Sequence, residues 1–338
     1  MGLNMIPFDL EIQQAPAGSA AKRQAKTTQN CEEGELVTSS KKGTQPYEQT
    51  ELFQANITQW PVKDDLASME FPIFSLSKKH DTEIREYVNP STKKRIRITP
   101  SVVGAATVFD KDLLLFIGSQ LIEARQSGLP IARKVKVDIY RFLTGTCRSP
   151  GGNSYYLVVD MLRRLKGTNL ETNIQTGGVE QVRGFGLIDD YEIDRHTANG
   201  KGALEVSVTI SEWLYNALIH YEVLTIDRRY FELGQALERR LYELARKHTG
   251  EKALWKCDIE ILRQKTGSTQ DLRRFRSEVR SIIKRDSLPD YRIALDSSNK
   301  KVQRVVFYTR NNKALMEELS KMPDGYAWYE KLERTAPA

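Results

Sequence analysis

The order of predicted elements makes this an α+β chain: two tandem winged helix-turn-helix domains preceded by a disordered N-terminal tail. Three observations carry that reading. A short helix, a turn, a second helix and a β-ribbon occur in that order twice, first between KVKV and ALEVSVTI and again between ALW and VQRVVFYTR. The segment 268–293, STQDLRRFRSEVRSIIKRDSLPDYRI, winds its apolar residues onto one stripe and its arginines onto the other. Residues 1–66 follow neither the helical nor the strand period and are rich in Gln, Thr, Ser, Glu and Lys.

Charge sharpens the division. The tail holds six Lys or Arg against nine Asp or Glu, so a net +7 for the 338-residue chain becomes +10 beyond it. A basic folded part suits a polyanionic partner. A membrane span is not expected, because VVGAATVF and LLLFIG are separated by Asp110, Lys111 and Asp112. MGLNMIPFDLEIQQ lacks the basic stretch and apolar core of an export signal. Cys31, Cys147 and Cys257 are far apart and odd in number, as suits reduced thiols, so a cytoplasmic location is expected.

The first domain is read over 67–227. FPIFSL is a short apolar run, EYVNP and KRIRITPS alternate like half-buried strands, and FDKDLLLFIGSQLIEARQSGLP is a helix with Asp110 as cap and Gly128 then Pro130 as stop. KVKV, the short helix DIYRFLTG, the turn SPGGNS and the helix YYLVVDMLRRLKG follow, then strands in ETNIQT, VEQVRGFGLIDDYEI and ALEVSVTI. The second domain is read over 228–325: one long helix in RYFELGQALERRLYELARKH, a strand in ALW, the short helix DIEILRQKTG, the 268–293 segment, a hairpin around DSSNKK and the helix NNKALMEELSKM. Ser268 with Asp271 three residues on has the pattern of a capping box. Residues 326–338 are expected to be loose.

On a wheel, Leu272, Phe275, Val279, Ile282 and Ile283 form one stripe. Arg273, Ser277, Arg280, Ser281 and Lys284 lie opposite, with Arg274, Arg285 and Arg276 at the borders. An ordinary solvated face mixes signs, because like charges four apart destabilise a helix; Arg276, Arg280 and Lys284 are so spaced. Phosphates would neutralise them. The predicted wing adds Lys300, Lys301 and Arg304, and residues 256–310 hold fourteen basic against seven acidic residues. A helix fits the major groove of B-DNA, where Arg offers guanine a two-pronged donor; wing lysines reach the backbone and fix register.

VDIYRFLTGTCRSPGGNSYYLVVDMLRRLKGTNLETNI and WKCDIEILRQKTGSTQDLRRFRSEVRSIIKRDSLPDYRI resemble the replication initiator protein A family of bacterial plasmids. So do FPIFSLSKK, ITPSVVGAATVFDKDLLLFIGSQLIEARQSGLP and LTIDRRYFELGQALERRLYELARKH, and the likeness runs from about residue 70 to residue 310. It implies tandem winged helices that bind repeated sites (iterons) in double-stranded origin DNA, help to melt it, and bring in the host initiator protein and the replicative helicase. It also implies a homodimer in equilibrium with monomer, with dimers repressing their own gene and limiting copy number. Carried over by position, the main reading helix is 269–286, with Arg273, Arg274, Arg276, Ser277, Arg280, Ser281 and Lys284 as contacts. Its counterpart in the first domain, which also serves dimerisation, is 153–166, with Arg163, Arg164 and Lys166 near its far end.

No catalytic centre, cofactor or metal is expected. A nicking initiator would need a Tyr nucleophile and closely spaced metal-binding histidines, whereas His80, His196, His220 and His248 are widely separated. Gly200, Lys201 and Gly202 lack the first Gly and the hydroxyl of a phosphate loop. A winged-helix transcriptional repressor without initiator activity is the nearest alternative; a nicking initiator is a more distant one.

Overall fold

The computed structural model describes residues 6–7, 51–77, 80–89, 93–173, 175–176, 179–180, 184–195, 204–250, 252–296 and 303–334. They form a mixed α+β structure built around a central helix. That helix, α2 (Lys111–Gln126), follows the short α1 (Leu66–Glu70) and is buried at every position from Lys111 to Ile122. LLLFIG is apolar on all sides, which is what a helix enclosed by other elements requires. Beyond it, Gly128 takes the left-handed conformation (φ +73°) that stops a helix. Asp110 precedes α2 as expected but makes no side-chain cap to it. Its carboxylate accepts instead from the Thr107 amide and from Arg164.

Two larger sheets accompany α2, which itself packs chiefly on the strand Val62–Asp65. One has the order Ile188–Arg195, Leu204–Ile210, Lys134–Asp138, Phe53–Ala55, and the other contains Arg85–Val88, Arg95–Thr99, Asn169–Thr172 and Gly184–Gly186, with Ile6–Pro7 parallel at its edge. The expected tail is corrected at its C-terminal end. Phe53–Ala55 pairs parallel with Lys134–Asp138, and Val62–Asp65 pairs antiparallel with Val223–Ile226. Phe53, Trp60 and Val62 are buried, and the Trp60 ring meets Phe116 of α2 edge-on at 5.3 Å. Apart from Ile6–Pro7, the expected tail before residue 51 lies outside the described residues.

The first helix pair is α3 (Ile139–Gly145), capped by Asp138, and α4 (Gly152–Gly167). It precedes the antiparallel strands Ile188–Arg195 and Leu204–Ile210. After α5 (Glu212–Ile219) the expected long helix is broken. Arg228–Glu232 is a 3₁₀ turn and α6 spans Ala236–Thr249. The break is stabilised from within, because the Arg239 guanidinium donates to the carbonyls of Phe231 and Leu233 at 3.0 and 2.8 Å.

The second pair is α7 (Ile259–Thr266) and α8 (Leu272–Arg285), followed by the hairpin Tyr291–Asp296 and Arg304–Thr309. Two helices close the chain, α9 (Asn312–Ser320) and α10 (Gly325–Arg334). The loose C-terminus is thus corrected over residues 326–334: Leu332 enters a small core with Leu315 and Leu319, and Trp328 donates to Asp296 at 3.0 Å. Lys256, on the strand before α7, lies 3.6 Å over the Trp328 ring.

A buried polar junction joins the two halves. Lys111 Nζ lies 2.8 Å from Asp64 and 3.0 Å from Glu243, which also faces Arg240 at 3.0 Å and accepts from the Tyr230 hydroxyl. Asp112 pairs with Arg239 and Arg148. Burial lifts the Asp64 carboxyl to about 7, against the pull of Lys111. Burial also acts to raise Glu243, but Lys111 and Arg240 hold it below the usual carboxylate range. Arg240 further donates to the carbonyls of Ser68, Met69 and Glu70 from the first half and of Lys265 from the second.

Candidate nucleic-acid interface

The turn between α7 and α8 is fixed by Gly267. Its φ is +73°, and an added Cβ would sit 2.7 Å from the Pro72 ring, so a side chain there meets both backbone strain and a clash. The capping box expected at Ser268 is displaced by three residues. Asp271 is the cap, its carboxylate accepting from the Arg274 amide at 2.9 Å, so α8 begins at Leu272 rather than 269. At the other end Asp286 adopts the left-handed conformation and its carboxylate and carbonyl accept from Arg310.

Phe275, Val279 and Ile282 are buried, while Leu272 and Ile283 are half-buried. Arg273, Arg274, Ser277, Arg280, Ser281, Lys284 and Arg285 are exposed. One side of α8 thus closes the core and the other presents cations and short hydroxyls. Arg274, Ser277 and Ser281 border a groove of about 1030 Å³ that is also lined by Ser75, His80, Asp81 and Arg85 from the first half of the chain.

The cations of this region divide by their partners. Arg276, half-buried, donates to Gln303 at 2.8 Å, and Arg285 is held by Glu238 at 2.9 Å and Gln235 at 2.6 Å. Arg304 faces Asp258 at 3.2 Å, and Arg274 faces its own cap Asp271 at 3.4 Å with the side chain 81% exposed. Among the described residues, the side chains of Arg273, Arg280 and Lys284 make no hydrogen bond or close ion pair, although the charge and backbone amide of Arg273 act on the Asp271 carboxylate. Lys300 and Lys301 lie outside the described residues.

The first helix pair presents a different surface. Arg164 is bound to Asp110 through two hydrogen bonds of 2.7 Å, which raise its pKa further, so it is largely committed inside the fold. Arg163 pairs with Asp160 at 3.0 Å and Lys166 faces Asp190 at 3.6 Å. Val158, Met161, Leu162 and Leu165 are buried, whereas Tyr156 and Leu157 are 66% and 56% exposed. Sequence reasoning assigned those two no role of their own; the signal available was the position of Tyr156 opposite Val158 and Leu162, with Leu157 at the border of the buried face.

Residues 63–293 match the family described as Replication initiator protein A, a span that contains both helix pairs. The chain belongs to the replication initiator protein A family. This initiator is 36% identical over 233 residues to a putative replication protein of Wigglesworthia glossinidia brevipalpis, covering 68% of this chain and 84% of the relative. In fold it is similar to domains 2 and 3 of RctB, with a TM-score of 0.54 at 14% identity over 72% of this chain and 96% of that one. A second crystal structure of the same RctB domains gives 0.50 at 12% identity, with 72% and 97% covered. At those identities the likeness is one of fold alone. Among the initiator's described residues no helix is long and apolar enough to cross a membrane, and no group of three or more His, Cys, Asp or Glu is placed to hold a metal.

Proposed function

We propose that this replication initiator binds tandem repeats in double-stranded DNA at a plasmid origin through two winged helix-turn-helix units, α3–α4 and α7–α8 with their following hairpins. The observation that carries the reading is the outer face of α8, where Arg273, Arg280 and Lys284 stand exposed without partners among the described residues. In a free protein Arg280 and Lys284 repel each other, and Arg273 has only the exposed Asp271 carboxylate nearby; against a major groove the three meet guanine edges and phosphates. Lys300 and Lys301, which lie in the sequence between the two strands of the second hairpin, bind the backbone and set register. The protein opens the neighbouring duplex by distorting it and recruits the host initiator protein and the replicative helicase. It acts in the cytoplasm without a catalytic centre, cofactor or metal, as a monomer in equilibrium with a homodimer that represses its own gene.

Footprinting on the DNA that flanks the gene tests the binding step; a series of evenly spaced protected repeats is expected. The same DNA, cloned with the gene on a replicon that cannot otherwise replicate, should then be maintained. Loss of that plasmid despite normal expression and repeat binding would leave only a repressor.

A further inference from the structure

We infer that α4 reads A·T base pairs in the major groove, with Tyr156 and Leu157 packed on thymine methyl groups and Asn153 paired to adenine. The inference rests on the DNA-binding reading above and adds a base preference to the first helix pair. Asn153, Tyr156, Leu157 and Asp160 are all exposed and stand at i, i+3, i+4 and i+7, so they form one stripe on the helix. The opposite face is already taken by Val158, Met161, Leu162 and Leu165, which are buried in the core. The stripe is therefore an outer surface, and it is the second helix of a helix-turn-helix that holds it, as α8 is in the other unit.

The two stripes differ in chemistry. α8 offers unpaired arginines, whose planar donors suit guanine O6 and N7. The exposed N-terminal half of α4 has no cation. The basic residues of α4 lie in its C-terminal half, where Arg164 is bound to Asp110 and Arg163 is turned to Asp160. What remains is an amide, an aromatic ring and an aliphatic side chain, with the Asp160 carboxylate of the same stripe neutralised by Arg163. An A·T pair shows the major groove an acceptor and a donor on adenine, which an Asn amide matches in both, and a methyl group on thymine, which only an apolar side chain rewards. A G·C pair offers nothing for Tyr156 or Leu157 to cover. A second copy of this chain is a poorer occupant, because two side chains flanked by Asn153 and the Asp160–Arg163 pair expose far less than the roughly 800 Å² per partner of a stable interface.

Replacing thymine by deoxyuridine removes the methyl group and leaves pairing intact. The full-length protein is titrated with a repeat-bearing duplex found by footprinting, made with thymine or with uracil, and compared with the Tyr156→Ser/Leu157→Ser variant. Wild type should bind the uracil duplex about fourfold more weakly for each methyl group removed from beneath these side chains. The variant should bind the thymine duplex more weakly than wild type does and be indifferent to uracil. Equal wild-type affinity for both duplexes overturns the inference whether or not the variant folds. So does a variant that keeps the uracil penalty, or one whose only defect is in self-association measured by sedimentation. Failure of wild type to bind any repeat-bearing duplex would refute the DNA-binding reading itself, an outcome distinct from binding without a uracil effect.

Discussion

Replacing Arg280 by Ala should move two quantities in opposite directions. Arg280 is exposed and makes no ion pair or hydrogen bond with a described residue, while Arg276 and Lys284 stand four residues to either side. Removing it relieves two like-charge pairs, each unfavourable by about 0.2–0.5 kcal/mol, and Ala is at least as good a helix former. The free protein should therefore gain about 0.5–1 kcal/mol in urea unfolding at low ionic strength, a gain that shrinks as salt screens the pairs. Repeat DNA should bind more weakly by about 1–3 kcal/mol, or roughly 5- to 150-fold, if the guanidinium grips a guanine edge. Arg285→Ala is the control, since it removes the hydrogen bonds to Glu238 and Gln235 and should lower stability instead. Destabilisation of Arg280→Ala by more than about 1 kcal/mol would show that the residue has an internal role. Unchanged repeat affinity would remove it from the reading face.

Three further outcomes are expected. Lys111→Met leaves Asp64 and Glu243 buried without their shared cation and should cost about 3–5 kcal/mol in denaturant unfolding, part of it recovered when Asp64→Leu is added; a cost below about 1 kcal/mol contradicts the network. Burial pushes His248 down to about 3, so the unfolded chain takes up a proton below pH 6.5 while the native ring, stacked 4.4 Å from Trp255, does not. Stability from this group falls with pH, by about 2 kcal/mol between pH 7 and 5. Asp64, lifted to about 7, works with the opposite sign over the same range, so the effect is read as the difference between wild type and His248→Gln. That difference should change by about 2 kcal/mol toward acid pH, and a constant difference refutes the assignment. Finally, Lys300→Ala or Lys301→Ala should weaken all duplexes alike and lower the salt slope by about one for each phosphate no longer neutralised; an unchanged slope excludes those lysines from the interface.

Local periodicity made α8 legible. Its amphipathic stripe needs no partner to be read, and Phe275, Val279 and Ile282 are buried where the wheel puts them. Interactions over long sequence separations were not legible. Asp110 looked like a helix cap, yet its carboxylate grips Arg164, 54 residues away. Lys111 and Asp112 read as polar residues interrupting an apolar run, but ion pairs with Asp64, Glu243 and Arg239 draw them fully inside. The strand Phe53–Ala55 has three residues and pairs parallel with Lys134–Asp138, far along the chain; it is too short for any alternation to show. In the candidate site the same limit applies: the run of arginines was visible, but which of them the fold had already occupied was not.

The Arg240 guanidinium, bonded at once to three successive carbonyls ending α1 and to one near the end of α7, leaves no slack between the halves of the chain. Two readers on a tether would adapt to changes in the distance between their targets. If α4 and α8 both read DNA, as proposed, two readers on one frame measure it. On B-DNA each inserted base pair turns the next target by about 35° around the axis. On that proposal a single added pair between the segments facing α4 and α8 should unseat one helix when the other is docked, which would make the phase of the repeat as much a part of its address as its bases.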